Sequence, residues 1–223
     1  MSAPSVTSRA SSVSSTDAAD LGAADARRLQ ECLAAGGVAV FPADTVYGIC
    51  CDPDDADAVR RVYELKGRPA ERPAAVMFFA LAPADSVVAE PERVAVRALL
   101  PGPVTVLVPN RERRFLPACG PDPGTLGLRV PALPRRLAAL RAVTRPLMQS
   151  SANLSGEPDA RRLSEVPERL LDGVDLVLDG GELPGSPSTV VDLRGYARDG
   201  GWQTVREGAV SSAAVAAALA SAG

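Results

Sequence analysis

The chain has no histidine, a single lysine among its 223 residues, and aromatic side chains at only 4% of positions. Without histidine, and with Cys32, Cys50, Cys51 and Cys119 in no CxxC spacing, the usual nitrogen and sulfur metal sites are excluded. The thiols are expected to be reduced and buried. So few rings leave little for base stacking, and 24 Lys and Arg against 27 Asp and Glu, a formal charge of −3, remove the broad basic footprint of a nucleic-acid binder. No apolar run approaches the roughly 18 residues of a membrane span, and the Ser- and Ala-rich start lacks the apolar centre of a secretory signal. A cytoplasmic protein with no membrane partner is expected. Neither GxxxxGK[ST] nor a GxGxxG following a strand occurs, so a nucleotide site here is of another kind.

What is present is an apolar content of 46%, ample for a core, in an alternation of helical and extended patterns. Helices are expected over Ala18–Ala35, stopped by Gly36-Gly37, over Asp54–Leu65, Pro91–Leu100, Pro134–Ala142 and around Leu163–Leu171. Strands are expected at Val38–Phe41, Ala75–Phe79, Val104–Val108, Leu126–Val130, Leu147–Gln149, Leu176–Leu178 and Thr189–Leu193. This pattern predicts an α/β fold: a single domain with a mixed twisted sheet and flanking helices. Its limits fall near residues 20 and 212. Residues 1–19 read as a disordered N-terminal tail and 213–223 as an Ala-rich C-terminal tail, whose helix rests on propensity with little to anchor it.

Several short strings carry candidate chemistry. Lys66 and Arg68 fall just past the second helix, where cations also serve simply as a solvated helix end. Here Pro69 and Pro73 stiffen a run that adds Arg72, and preorganised cations bind polyphosphate with less ordering cost. Phe41–Gly48 forms a loop at a strand end, where Thr45 offers a hydroxyl and Gly48 allows close approach; a plain turn uses the same residues. Arg129 sits inside an apolar strand and needs a cleft or an anionic partner there. Ser150–Gly156 is either a simple turn or a set of hydroxyls and an amide, Ser151 and Asn153, facing a ligand. Ser188 opens a similar hydroxyl-rich entry into a strand. Three such loops with arginines suit one anionic ligand of several parts.

The strings FPADTVYGICCDP, YELKGRP, LPGPVTVLVP, LRVP, SSANLSGEP, PSTVVDL and VREGAV occur in the order found in the YrdC family, and the chain resembles that family over about residues 25–210. The resemblance implies a YrdC-like twisted α/β sheet around a concave cavity. It also implies L-threonylcarbamoyladenylate synthase activity, in which L-threonine, bicarbonate and ATP give threonylcarbamoyl-AMP and pyrophosphate. Mg²⁺ arrives with ATP, and a downstream transferase uses the product to modify a tRNA adenosine. Carried over by motif, Lys66, Arg68 and Arg72 hold the ATP phosphates, with Thr125, Asn153, Arg206 and Arg161 on the nucleotide side. Thr45, Arg129, Ser151 and Ser188 surround threonine, and Lys66, Arg68, Ser151 and Asn153 form the catalytic set.

Met77 occupies a threonine-side position where many members carry histidine, and a thioether makes no strong hydrogen bond. Arg72 replaces the usual lysine, and Glu207 a proline. A related carbamoyl- or acyl-adenylate former acting on another amine is one alternative, and an RNA-binding module, with weak tRNA contact, is another.

Overall fold

The computed structural model describes residues 20–67, 69 and 73–222. Their nine strands form one sheet: β1 (Ala39–Pro42), β2 (Tyr47–Cys51), β3 (Ala75–Met77), β4 (Val104–Pro109), β5 (Thr125–Arg129), β6 (Leu147–Ser151), β7 (Leu176–Val177), β8 (Thr189–Asp192) and β9 (Gln203–Arg206). The spatial order is β7-β1-β2-β6-β3-β5-β4-β8-β9. Strands β1/β7, β3/β5 and β4/β8 pair in parallel and the other neighbours antiparallel, so the sheet is mixed, as the alternation predicts.

Eight α-helices accompany it among the described residues: α1 (Ala23–Ala34), α2 (Ala56–Lys66), α3 (Leu81–Asp85), α4 (Glu90–Leu99), α5 (Leu116–Cys119), α6 (Glu168–Gly173), α7 (Tyr196–Asp199) and α8 (Ser212–Ala220). The segment read as a proline-opened helix is a 3-10 helix over Arg135–Ala142, and the one around Leu163 divides into a 3-10 turn and α6. Pro167 sits at the break, where its ring prevents one continuous helix.

The Phe41–Gly48 stretch is the turn offered as the plain alternative, with strand on both sides of it. It is a hairpin: β1 turns through residues 43–46 into β2, with Phe41 opposite Gly48. Strand β2 is buried along its whole length, so it lacks the polar alternation that reveals a half-exposed strand. The C-terminal helix is also better anchored than propensity suggests. Val215 and Leu219 of α8 are buried, α8 lies against α4, and each such side chain contributes about 1.5–3 kcal/mol.

Helix α2 positions the most important loop. Asp55 caps its start by accepting from the Asp57 and Ala58 N–H groups, both at 3.0 Å, and Gly67 ends it in the left-handed conformation at φ 57°. Val59, Val62 and Lys66 recur at helical spacing on the buried face, so the lysine at the end of the stripe points inward.

Candidate functional site

One face of the sheet is open and forms a cavity of about 430 Å³. Alternation along the strands sets its wall: Thr125, Gly127 and Arg129 from β5, Thr105 and Leu107 from β4, and Gln149 and Ser151 from β6 project into it. Ser188, Arg194, Val205 and Arg206 close the side at β8 and β9. Of the expected site residues, Thr125, Arg129, Ser151, Ser188 and Arg206 therefore meet in one cavity.

Arg129 is only 2% exposed. Its NH2 donates to Asp44 Oδ1 at 2.5 Å and Thr45 Oγ1 at 2.6 Å, and its NH1 to Gln149 Oε1 at 3.3 Å. Asp44 is fixed in turn by the Ala132 N–H at 2.8 Å. Burial lowers the Arg129 pKa while Asp44 opposes that shift, and a guanidinium stays protonated in such a setting. The strand arginine thus has both the anionic partner and the cleft its sequence position demands. Its Nε is buried without a hydrogen-bond partner among the described residues. Asp85 Oδ1 and Thr204 Oγ1 share that condition, but neither residue lines the cavity. Thr45 is 1% exposed and sits behind Arg129, outside the cavity wall.

Lys66 corrects an expectation. At the helix end it is neither a solvated cation nor part of the cavity wall: Lys66 is 2% exposed and lies outside that wall. Its Nζ donates to the Ser151 carbonyl, to the Asn153 carbonyl at 2.7 Å and to Asn153 Oδ1 at 3.0 Å. Asn153 also accepts from Ser151 Oγ at 2.6 Å and donates through Nδ2 to the Glu157 carbonyl at 2.5 Å. The Lys and Asn motifs therefore meet, but in this structure they bind each other. The ammonium holds the Ser151–Gly156 turn in shape from beneath, leaving Ser151 at the cavity edge. Arg68 and Arg72 lie outside the described residues.

Two further candidates lie away from the cavity. Met77 is fully buried; it pairs in register with Arg129 on the neighbouring strand but does not reach the wall. Arg161 is half-exposed on the surface and ion-paired to Glu182, so it is not brought to the site.

The side at β8 and β9 is tied together by Thr189, whose buried hydroxyl accepts from the Gly208 and Val210 N–H groups, both at 3.0 Å, and donates to the Val210 carbonyl at 2.6 Å. Gly208 is required there, because a Cβ would run into the Pro187 carbonyl. That clamp sets Arg206 beside β8, where its NH2 donates to the Ser188 carbonyl at 2.7 Å. The Ser188 and Thr105 hydroxyls lie 2.9 Å apart.

Sequence reasoning missed Asp44 as the partner of Arg129, and missed Gln149 and Arg194 in the wall. Gln149 had a signal, since it stands two residues before Ser151 on one strand and so shares its face. Among the lining residues the one thiol, Cys119, has its pKa raised by burial, so it is not an activated nucleophile; the charged lining is Arg129, Arg194 and Arg206 with Asp122 and Asp159. Its arginines and hydroxyls are groups that can hold and orient anionic oxygens.

A Sua5/YciO/YrdC family model, described as telomere recombination, matches residues 31–208. A threonylcarbamoyl-AMP synthase of Xanthomonas campestris is 36% identical over 169 residues, covering 73% of this chain and 89% of that protein. The threonylcarbamoyl-AMP synthase of Pyrococcus abyssi is 34% identical over 164 residues, covering 71% of this chain, which spans 47% of that longer protein. Among solved structures, P. abyssi Sua5 complexed with L-threonine superposes with a TM-score of 0.73 at 27% identity, covering 89% of this chain and 58% of that one. The match runs from α1 through the Gly208 clamp and takes in the whole cavity, and the chain belongs to the Sua5/YciO/YrdC family.

Proposed function

We propose that the protein is a threonylcarbamoyl-AMP synthase, forming threonylcarbamoyl-AMP and pyrophosphate from L-threonine, bicarbonate and ATP. The observation that carries this reading is Arg129: a buried cation in the cavity wall whose five N–H groups have only three partners among the described residues. The threonine carboxylate answers that need, with the Gln149 amide and the Ser188 hydroxyl beside it. ATP enters from the side of Thr125 and Arg206, and Arg68 and Arg72 are assigned to its phosphates by motif alone. A cavity of about 430 Å³ lies within the range of small-molecule sites.

The threonine amine attacks the carbon of bicarbonate and water leaves, giving a carbamate. A carbamate oxygen then attacks the α-phosphorus of ATP, the bond to the β-phosphate bridge breaks, and pyrophosphate departs. No side-chain nucleophile is required. The chain's part is to align carbamate and α-phosphate and to stabilise the charge that moves onto pyrophosphate, for which Arg206 stands at the wall. Among the described residues no group of three or more Cys, Asp or Glu side chains is arranged to hold a metal ion. Mg²⁺ is taken to arrive on the ATP phosphates, and no step is assigned to it. The adenylate passes to a separate transferase that modifies tRNA in the cytoplasm, with at most weak tRNA contact here. No helix of the described residues is long and apolar enough to cross a membrane.

The test is pyrophosphate release from ATP, Mg²⁺ and bicarbonate, with and without L-threonine, beside serine and other amino acids. Release that requires both threonine and bicarbonate, with threonylcarbamoyl-AMP detected by mass spectrometry, is the expected result. Release driven by another amine instead would assign the site to a different substrate.

A further inference from the structure

Arg194 is a cavity-lining cation that neither the motif order nor the proposed chemistry uses. Its surroundings limit what it can bind. The Nε donates to Asp192 Oδ1 at 2.9 Å and NH2 to Asp192 Oδ2 at 2.6 Å, while NH1 donates to Thr125 Oγ1 at 3.1 Å and lies 3.5 Å from Asp122 Oδ2. Protein oxygens therefore occupy most of the in-plane approach to the guanidinium, and two carboxylates neutralise its charge. A phosphate, which needs in-plane donors and net positive charge, is poorly served. The side chain is still 45% exposed, and with its in-plane donors engaged the surface it can offer a ligand is that of its flat guanidinium.

The same wall carries Val205, at 56% the most exposed large apolar side chain among the described residues. A flat guanidinium held rigid in its plane, together with uncovered apolar surface, suits a planar aromatic ring. We propose that Arg194 is the stacking platform for the nucleobase of ATP, with Val205 completing an apolar edge of the same seat. The inference rests on the synthase reading and deepens it: Arg129 and Arg206 take anionic oxygens, while Arg194 takes the ring. Asp192 and Asp122 then serve to fix the orientation of the guanidinium rather than to touch the ligand.

The test compares ATP with inorganic tripolyphosphate, which has the phosphates and no ring, by titration calorimetry on the full chain. Arg194→Ala is expected to weaken ATP binding roughly tenfold and to leave tripolyphosphate binding unchanged. Arg194→Lys, which restores charge but not the plane, is expected to be as weak for ATP as the alanine variant. Val205→Ala, which disturbs no ion pair, is expected to weaken ATP alone by roughly twofold to fourfold. Equal weakening of both ligands by Arg194→Ala, or rescue of ATP binding by Arg194→Lys, would overturn the proposal in favour of a phosphate contact. Wild-type protein that binds tripolyphosphate as tightly as ATP would also overturn it, with the synthase reading left standing. Wild-type protein that binds neither ligand would remove both.

Discussion

Lys66 and Arg129 are equally buried, each 2% exposed, and both belong to motifs that suggest anion binding, yet the fold uses them differently. The Lys66 ammonium is surrounded by acceptors of its own chain, the Ser151 and Asn153 carbonyls and Asn153 Oδ1. Arg129, in the cavity wall, has only three partners among the described residues for its five N–H groups. Burial of a cation therefore does not separate a ligand-binding group from one that shapes a loop. What separates them is whether the donors are already satisfied.

The comparison breaks most visibly at Arg129. Arg129→Met leaves the Asp44 carboxylate buried without its cation, and such a loss costs about 3–5 kcal/mol. Thermal unfolding should show a large drop in midpoint, and pyrophosphate release should disappear. The double variant Arg129→Met/Asp44→Asn removes both charges and keeps an acceptor for the Ala132 N–H. It should recover most of the stability and none of the activity. Recovered activity in the double variant would mean that Arg129 only neutralises Asp44.

Lys66→Met sharpens the contrast from the other side. Two carbonyls and an amide oxygen lose a buried donor, so the expected destabilisation is about 1–3 kcal/mol, read from urea unfolding. Because the Ser151–Gly156 turn loses its support, kcat should fall with KM for ATP altered less. A variant of full stability whose only defect is ATP affinity would instead make Lys66 a phosphate ligand in the working enzyme, and the difference between the two cations would vanish.

Much of this arrangement was legible before any coordinates. The apolar run around Arg129 called for a cleft or an anionic partner, and the residue has both. The inward direction of Lys66 was legible as well, since it follows Val62 by one helical turn and continues the buried stripe of Val59 and Val62. A helix end suggests exposure, but the buried stripe runs to the last residue of α2. Asp44 could not be assigned, because its contact with Arg129 joins residues 85 apart in the chain and depends on how the β1/β2 hairpin faces β5. Arg194 was hidden for a related reason: Asp192 restrains it locally, but Thr125 and Asp122 reach it only through sheet pairing. Met77 holds a motif position without a cavity position, because its side chain is wholly buried.

The smallest effect is expected at Arg161, which supplies the outer reference for both buried cations. It is paired with Glu182 at the surface, with side chains 47% and 44% exposed, and it lies outside the cavity wall. Arg162 also binds Glu182, at 2.6 Å, so Arg161→Ala leaves the carboxylate with a partner. Solvent screens an exposed pair of this kind, and truncating it orphans no buried group. Arg161→Ala should leave the thermal midpoint unchanged within error and alter pyrophosphate release by less than roughly twofold. A larger loss confined to KM for ATP would bring Arg161 into the nucleotide site. In that case donor satisfaction would separate binding from structural cations only inside the sheet's own cavity, and not at the loops around its mouth.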